Sequence, residues 1–333
     1  MNVINWHKVW IIVCIVILSG CTSEADVWRA NIDKAERKID QQLRSLSQHM
    51  DSGNIRNAIL IKEYAYKVRD LKPDLNKITS LLEKEGSARG SIYKGIVDRF
   101  NTAKASKVEA VSSGTEAVNN LGREYQSIYV AASAAQFGNM LIDPINTLAS
   151  MSDGVLPALP IPGSGSSADQ KENDYGPGGN LVGNPHYGQW QTNSSGSSFW
   201  AFYGQYAFFS SLFRGPVYYG NWSSGRNRSY YHDVGRDTYT SPKQRQSQAQ
   251  VEQRTRKKFQ ADKKPFKSAY GKNTSTPKTV TKSPNKFKSA YGKSSQSSSF
   301  SNKSGTRSSS SFGSSKSSSF YNSRSSSFRG GGK

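Results

Sequence analysis

The stretch VWRANIDKAERKIDQQLRSLSQHM, residues 27–50, decides the fold class of this 333-residue chain. Its apolar residues recur every three or four positions, which places them on one face of an α-helix. Ser23 and Asp26 form a capping pattern before it, and the turn-forming residues 51–54 follow it. The sequence therefore predicts a long first helix that buries one face, formed by Trp28, Ile32, Ala35, Ile39, Leu43, Leu46 and Met50.

Two more patterns with the same spacing follow this helix. The second runs from Ile55 to Leu82, where Pro73 either kinks a helix or begins a new one. The third is long, from Ile92 to Ala132, with a possible extension to Met140. Three amphipathic helices joined by short turns predict an all-α fold over 24–150, an antiparallel helical bundle or a coiled-coil hairpin. Their apolar stripes form either an internal core or a face kept for self-association or a partner helix.

The N-terminus has the features of a targeting segment. Lys8 precedes an apolar run over residues 9–18. Ten helical residues measure about 15 Å, half the roughly 30 Å of a bilayer core. A run this short, with small residues after it, indicates a signal peptide over residues 1–20. A short uncleaved anchor or a buried apolar strand is the alternative.

The residues that end this segment are Leu18-Ser19-Gly20-Cys21. They resemble the lipobox of bacterial lipoproteins. The resemblance implies that Cys21 carries acyl chains on its sulfur and is the first mature residue, with residues 21–23 as a tether. It also implies a lipid-anchored protein of the cell envelope. Thr22 stands where this family's inner-membrane sorting signal has Asp, which favours the outer membrane, with the protein facing the periplasm or the surface.

Charge divides the chain into two unlike parts. The formal net charge is +21, yet residues 241–333 alone carry 21 basic and 2 acidic side chains. This stretch has few aliphatic residues and many serines, so we expect it to be disordered when free. Residues 151–186 are rich in Gly, Pro and Ser and read as a linker. A mostly disordered C-terminal half is therefore expected after the helices.

Between linker and tail lies an aromatic segment, residues 187–240. It holds 15 aromatic residues within 187–231 and few aliphatic ones. Ser198–Phe213 could form a short apolar helix. The segment lies at a membrane interface, docks on the helical body, or stays disordered. Its candidate membrane- or partner-docking residues are Phe199, Trp200, Phe202, Tyr203, Tyr206, Phe209 and Phe213.

The cationic tail contains a repeat. Phe-Lys-Ser-Ala-Tyr-Gly-Lys occupies 266–272 and recurs at 287–293. Rings spaced between cations on a flexible chain are suited to bind polyanions. If the chain is exported, its partners are anionic lipids, lipopolysaccharide or acidic wall polymers, and intracellular nucleic acid is not expected. The candidate polyanion-binding residues are Phe266, Lys267, Tyr270, Lys272, Phe287, Lys288, Tyr291, Lys293 and Arg329.

The sequence gives little support for a catalytic, metal or cofactor site. The chain has two Cys and four His. Cys14 lies in the segment expected to be removed, and the lipobox resemblance assigns Cys21 to lipid, so no metal site, cofactor or catalytic set is predicted.

The C-terminal half is similar in style to YgiB-like envelope proteins, a resemblance that implies no activity. The sequence thus predicts a non-enzymatic envelope lipoprotein whose tail contacts polyanions. The alternative is an assembly protein acting through its helices, with a passive tail.

Overall fold

The computed structural model describes residues 23–163 and 175–270. Residues 23–163, which we call the helical body, consist of helices joined by short turns and end in a non-helical stretch, 152–163. Its elements are α1 (Glu24–Asp51), α2 (Arg56–Leu71), α3 (Asn76–Glu83), α4 (Ser91–Ala105), α5 (Lys107–Ser113), α6 (Thr115–Ala131), α7 (Ala134–Met140) and α8 (Ile142–Met151), with 3-10 turns at Pro73–Leu75 and Lys84–Gly86. The predicted helical fold is confirmed at this level.

The rest of the described chain combines short elements with one long helix. It contains strands β1 (Gly188–Thr192) and β2 (Ser198–Phe202), helices α9 (Phe208–Leu212), α10 (Tyr219–Ser224), α11 (Arg236–Tyr239) and α12 (Pro242–Ala261), 3-10 turns at Gly179–Leu181 and Gly204–Tyr206, and a π-helix at Tyr231–Gly235. Residues 1–22, 164–174 and 271–333 lie outside the described residues. The signal peptide, Cys21 and most of the cationic tail therefore stay predictions.

Helix α1 forms where its capping and spacing predict. The Ser23 hydroxyl accepts a hydrogen bond from the Asp26 amide at 3.2 Å, which satisfies one of the free donors at a helix start. The helix ends at Asp51, and Gly53 follows with a φ of 72°, a conformation that glycine adopts without strain. Its buried residues are Ile32, Ile39, Leu43, Leu46 and Met50.

The third apolar pattern is interrupted twice. It was expected to form one long helix, but Ser106 ends α4, and Gly114, with a φ of 94°, separates α5 from α6. Pro73 begins a 3-10 turn after α2 has ended, so it starts a new element and does not kink a helix. The breaks allow short helices to fold back, so that Ile92, Phe100 and Ile128 are all buried within the chain.

The aromatic segment shares its core with the helical body. Rings from 187–240 belong to the same buried cluster as the apolar faces of α1 to α8. They are Tyr187, Tyr206, Phe209, Tyr230, Tyr231 and Tyr239. These contacts match the alternative in which the segment docks on the body. The expectation of disorder is wrong for 175–270, because rings lacking an aliphatic core of their own are buried against an existing one.

Residues 198–213 do not form the single apolar helix considered from the sequence. Ser198–Phe202 is instead strand β2, paired antiparallel with β1 so that Trp190 lies opposite Trp200. The two indole rings meet edge to face, with centroids 5.2 Å apart. Cross-strand aromatic pairs stabilise a hairpin, and a single sequence does not show which strand will pair.

The tail was expected to be disordered from residue 241, and this is wrong for Pro242–Ala261. Helix α12 begins with a complete capping box, in which Ser241 and Gln244 bond each other's backbone amides. Pro242 suits the first helical turn. The buried face is formed by Gln248, Val251 and Thr255, a helical spacing with only one aliphatic residue. Tertiary contacts of this face hold a helix that composition disfavours.

Candidate functional site: a cationic surface beside a seated repeat

Three buried carboxylates of the helical body hold the segment that carries the candidate site. The first is Glu85, in the 3-10 turn after α3. It accepts hydrogen bonds from the Tyr206 hydroxyl and from the Ile92 amide, the latter at 3.0 Å. Burial raises the pKa of Glu85 above its ordinary value, while these hydrogen bonds act in the opposite direction. Tyr206 is thereby fixed to the body.

Asp143, in α8, is the second. Its carboxylate accepts from the Tyr230 amide at 2.7 Å, the Ser229 hydroxyl at 2.9 Å and the Tyr231 amide at 3.0 Å. Burial nevertheless raises the pKa of Asp143 to about 7. The three donors belong to consecutive residues at the start of the π-helix, so this single side chain fixes that turn to the body.

Glu124, in α6, is the third, and it is paired. The Arg99 guanidinium of α4 binds both of its oxygens, with Nη2 donating at 2.8 Å, and both side chains are buried. Arg99 also donates to the Thr238 carbonyl at 2.6 Å, and Arg245 of α12 lies 4.0 Å from Glu124. A bidentate pair of this kind gives orientation as well as energy. Through Arg99 the pair fixes Thr238 of α11 to the body, and through Glu124 it lies beside Arg245 of α12.

The candidate docking rings of 199–213 are used within the molecule to different degrees. Trp200, Tyr206 and Phe209 are buried, Phe199, Phe202 and Phe213 are half-buried, and Tyr203 is exposed. Phe202 packs on Phe209 at 5.5 Å and on Phe213 at 5.7 Å between ring centroids. Most of these side chains therefore contact the protein's own core.

Helix α12 and the residues after it present a dense set of exposed cations. We call this set the cationic surface: Arg254, Arg256, Lys257, Lys258, Lys263, Lys264 and Lys267. Within 241–270 the acids are Glu252 and Asp262, which pair with Arg256 at 3.0 Å and Lys264 at 3.6 Å. Lys257, Lys263 and Lys267 form no ion pair among the described residues. The surface therefore retains uncompensated positive charge.

Two of these cations, Arg254 and Lys258, are positioned by hydrogen bonds to the hairpin formed by β1 and β2. The Lys258 ammonium donates to the Ser197 hydroxyl at 2.7 Å, and Arg254 donates to the Thr192 hydroxyl. Both partners are neutral, so the hairpin positions the cations without cancelling their charge. Arg254, Lys257 and Lys258 have the i, i+3, i+4 spacing that places side chains on one helix face. The resulting face can contact several anionic groups at once.

The described part of the first copy of the repeat, 266–270, lies against this surface, and both of its rings make contacts within the protein. Phe266 packs on Phe259, with centroids 5.7 Å apart, and Arg256 lies 5.4 Å from its ring centre. Tyr270 is covered by the Arg236 guanidinium at 4.1 Å. Both rings are half-buried and make contacts within the protein, whereas Lys267 is exposed, and polyanion binding by these residues stays a prediction. Lys272, Phe287, Lys288, Tyr291, Lys293 and Arg329 lie outside the described residues.

We call the receiving residues the repeat seat: Tyr219, Trp222, His232, Arg236, Arg256 and Phe259. Gly220 makes the seat possible, because a Cβ there would lie 2.5 Å from the Phe259 ring. Gly183, with a φ of 82°, likewise leaves room for Trp222. The His232 Nε2 atom is 2.7 Å from the Val182 carbonyl oxygen, and burial lowers the pKa of this imidazole well below its ordinary value. A neutral ring therefore faces the aromatic cluster.

A cavity of about 830 Å³ lies beside the buried Arg99–Glu124 pair. It is bounded by α4, α5 and α6 and by the start of α12, and His186 is part of its wall. Burial, with the Arg99 charge, lowers the pKa of His186 to about 4, so the imidazole is neutral at pH 7. Its Nε2 atom is buried and has no hydrogen-bond partner within the described residues.

The buried acids escaped the sequence analysis. Asp143 stands alone within the apolar run Met140–Leu148, and Glu85 lies in a charged run after Leu81 and Leu82. A single carboxylate within an apolar helix indicates a buried hydrogen-bonded group, and this signal was present for Asp143. The donors that reach Asp143 and Glu85 from the C-terminal segment lie 86 to 121 residues away along the chain and had no local signal.

Comparison with known protein-family models, curated proteins and solved structures gives no match for this chain. Within 23–163 and 175–270, no group of three or more His, Cys, Asp or Glu side chains is placed to hold a metal ion. Helices in the same ranges are too short or too polar to cross a membrane.

Proposed function

We propose that this protein is a non-enzymatic, lipid-anchored component of the cell envelope that binds anionic polymers or lipid headgroups through its cationic surface. The observation that carries the proposal is the set of eight exposed cations within 241–270, Lys243 and the seven of the cationic surface, with two acids among them. Residues 271–333 add 12 basic and no acidic side chains. Association driven by such charge is fast and sensitive to salt.

The tether supports a position close to a membrane. If Cys21 is acylated, only Thr22 and Ser23 separate it from the start of α1 at Glu24. Extended chain spans at most about 3.6 Å per residue, so α1 would begin roughly 10 Å from the lipidated sulfur. The helical body would then stand next to the headgroups, where anionic lipids and envelope polymers are the accessible polyanions.

Binding is proposed to depend on charge more than on rings. The repeat rings Phe266 and Tyr270 are half-buried by contacts within the protein, whereas the cations of the cationic surface are exposed. A Lys or Arg near an anionic membrane contributes about 1 kcal/mol. Several cations acting together therefore account for useful affinity without any aromatic insertion.

The alternative, assembly through the long helical stripe, has less support. The residues of that stripe are buried inside the molecule: Ile92, Ile96, Phe100, Val111, Leu121, Tyr125 and Ile128. A face already covered by the chain's own helices does not need a partner helix.

The first experiment tests the surface. Full-length protein is titrated with vesicles containing anionic lipid at low salt, and compared with the triple variant Lys257→Glu, Lys263→Glu and Lys267→Glu. We expect affinity to fall roughly a hundredfold, since three reversals remove about 3 kcal/mol while the cations of 271–333 remain. The matched control reverses three exposed lysines of the helical body, Lys38, Lys62 and Lys77. An equal loss in both triples, or binding that persists in molar salt, would contradict the proposal.

A second experiment tests the anchor. Cells expressing the wild type or Cys21→Ala are labelled with radioactive palmitate and fractionated. We expect label and membrane association in the wild type alone. Unlabelled wild-type protein in the cytosol would overturn the envelope location and the choice of partner with it.

A further inference from the structure

A second cavity, also of about 830 Å³, lies between α1 and α6 of the helical body. Its lining residues run from Trp28 to Lys38 on α1 and from Val118 to Tyr129 on α6. We call this cavity the α1–α6 groove. It shares no residue with α12 or with the cationic surface, so it is a separate candidate site.

The two helices run in the same direction along this groove. Tyr125 of α6 donates to Glu36 of α1 at 2.8 Å. Gln42 of α1 donates to the carbonyl of Ala132, just after α6, at 3.3 Å. Helical rise places the two ends of the α1 lining about 15 Å apart. The groove is therefore an elongated site that can take a short chain of rings.

The charged side chains that line the α1–α6 groove are all cationic. Lys34 and Lys38 come from α1 and Arg123 from α6, and all three are exposed. None of them forms an ion pair among the described residues. Lys34 and Lys38 are four positions apart on one helix, a spacing at which like charges repel. An anionic ligand would relieve this repulsion.

Two acids of α1 that are close to these lysines in sequence do not compensate the charge. Asp33 and Glu36 both form ion pairs with Lys107 of α5. Neither of them lines the groove. The positive charge of the groove is therefore left for a ligand from outside the protein.

The uncharged part of the lining is suited to hydroxyl groups and rings. Asn31, Asn119 and Gln126 contribute side-chain amides, each of which can both donate and accept hydrogen bonds, as a hydroxyl group does. Trp28 is half-buried and Tyr129 is 40% exposed, and both contribute an aromatic ring with a polar edge. Amides and rings together fit a sugar chain better than a bare inorganic anion.

Gly122 gives an independent sign that the groove is kept open. It lies in the interior of α6 and lines the groove, although glycine destabilises a helix interior relative to other residues. Packing does not require a glycine there, because a Cβ at this position would meet no atom within 4 Å. The missing side chain instead leaves space that a ligand can use.

We propose that the α1–α6 groove binds a short segment of an acidic glycan, with its acidic groups on Lys34, Lys38 and Arg123 and its hydroxyl groups on the amides. The inference rests on the proposed envelope location for the source of such a glycan. It uses no residue of the cationic surface. A bilayer is too broad to enter a groove between two helices, so vesicle binding and binding in the groove are separate properties.

The experiment follows Trp28 in full-length protein labelled with 5-fluorotryptophan, and the ¹⁹F signal of Trp28 is assigned with Trp28→Phe. The probe is trigalacturonate, and maltotriose is the neutral trisaccharide matched to it. Residues 241–333 contain no tryptophan, so the signal reports on the groove and not on the tail. We expect trigalacturonate to shift the Trp28 signal saturably and maltotriose to leave it unchanged at the same concentration.

Lys34→Gln and Arg123→Gln should each weaken this binding about tenfold, because each removes a hydrogen bond from a charged donor. Arg37→Gln is the matched control, since Arg37 is an exposed cation of α1 outside the groove, and it should bind as the wild type does. Gly122→Leu should weaken binding by tenfold or more and yet raise the melting temperature, because leucine favours a helix over glycine. A purely structural role of Gly122 would not separate stability from binding in this way.

Four results would overturn the inference: no saturable shift, equal binding of maltotriose, an equal shift from acetate at matched carboxylate concentration, or an equal loss in Arg37→Gln. The variant with Lys257, Lys263 and Lys267 reversed to Glu should keep the wild-type affinity at Trp28. Failure of the groove and failure of the cationic surface are therefore told apart.

Discussion

The carboxyl group of Asp143 makes the stability of this protein depend on pH in a predictable direction. Two effects oppose each other there: three donors favour the carboxylate, and complete burial favours the neutral acid. Burial is the larger effect, since it raises the pKa from 3.8 to about 7. The folded protein therefore binds a proton more tightly than the unfolded chain does.

A pKa raised on folding gives stability that is complete below the unfolded value and is lost as the pH rises through the folded one. Each pKa unit corresponds to about 1.4 kcal/mol. Between pH 5 and pH 8 the contribution of Asp143 to the free energy of unfolding should fall by about 2.6 kcal/mol. Other groups titrate in this range too, so a matched variant is needed to isolate the effect.

The measurement is urea unfolding of the wild type and Asp143→Asn at pH 5, 6, 7 and 8. Asparagine keeps one acceptor oxygen and does not ionise, so it should destabilise the protein by roughly 1–3 kcal/mol at acid pH. The difference between wild type and variant should then shift by about 2.6 kcal/mol in favour of the variant by pH 8. Asp74→Asn, which changes an exposed carboxyl group, is the control and should leave the pH profile parallel. A difference that stays constant, or that grows with pH, would show that the three donors outweigh burial.

Three further substitutions test other contacts by chemical denaturation. Arg99→Met leaves Glu124 buried without its partner and should cost about 3–5 kcal/mol, most of it recovered when Glu124→Leu is added; a double variant no better than the single one would contradict this. Tyr206→Phe removes a donor from buried Glu85 and should cost roughly 1–3 kcal/mol, so a change within error would show that the hydroxyl is dispensable. Gly220→Ala forces a Cβ against a ring of α12 and should cost about 1–3 kcal/mol, with loss of α12 protection in hydrogen exchange; unchanged protection would refute the close contact.

The helical body was largely predictable because its signal is local. Apolar residues at three- and four-residue spacing identify the faces of α1 and α2, and Ser23 and Pro73 mark where elements begin. The breaks at Ser106 and Gly114 were harder to place. A helical pattern continues across them, and only tertiary packing selects short helices over one long one.

The C-terminal half could not be predicted in the same way, because its order comes from distant parts of the chain. Trp200 pairs with Trp190 across a hairpin, and Tyr206 reaches Glu85, 121 residues earlier. Helix α12 buries Gln248 and Thr255, which composition treats as polar. Gln248 donates to the Tyr231 hydroxyl at 2.8 Å, so its burial is satisfied by a partner that periodicity does not reveal.

The same long-range contacts bear on the proposed binding surface. The chain has 24 acidic residues that could pair with its own cations. Glu85 and Asp143 instead point inward and accept donors from the C-terminal segment, Glu124 is bound by Arg99 and lies 4.0 Å from Arg245 of α12, and Glu252 and Asp262 are paired beside α12. Folding therefore uses acids of the body to hold the C-terminal segment and leaves Lys257, Lys263 and Lys267 facing solvent. Charge that no group of the described chain compensates is available to an external polyanion, and this consequence of the fold gives the proposed function its physical basis.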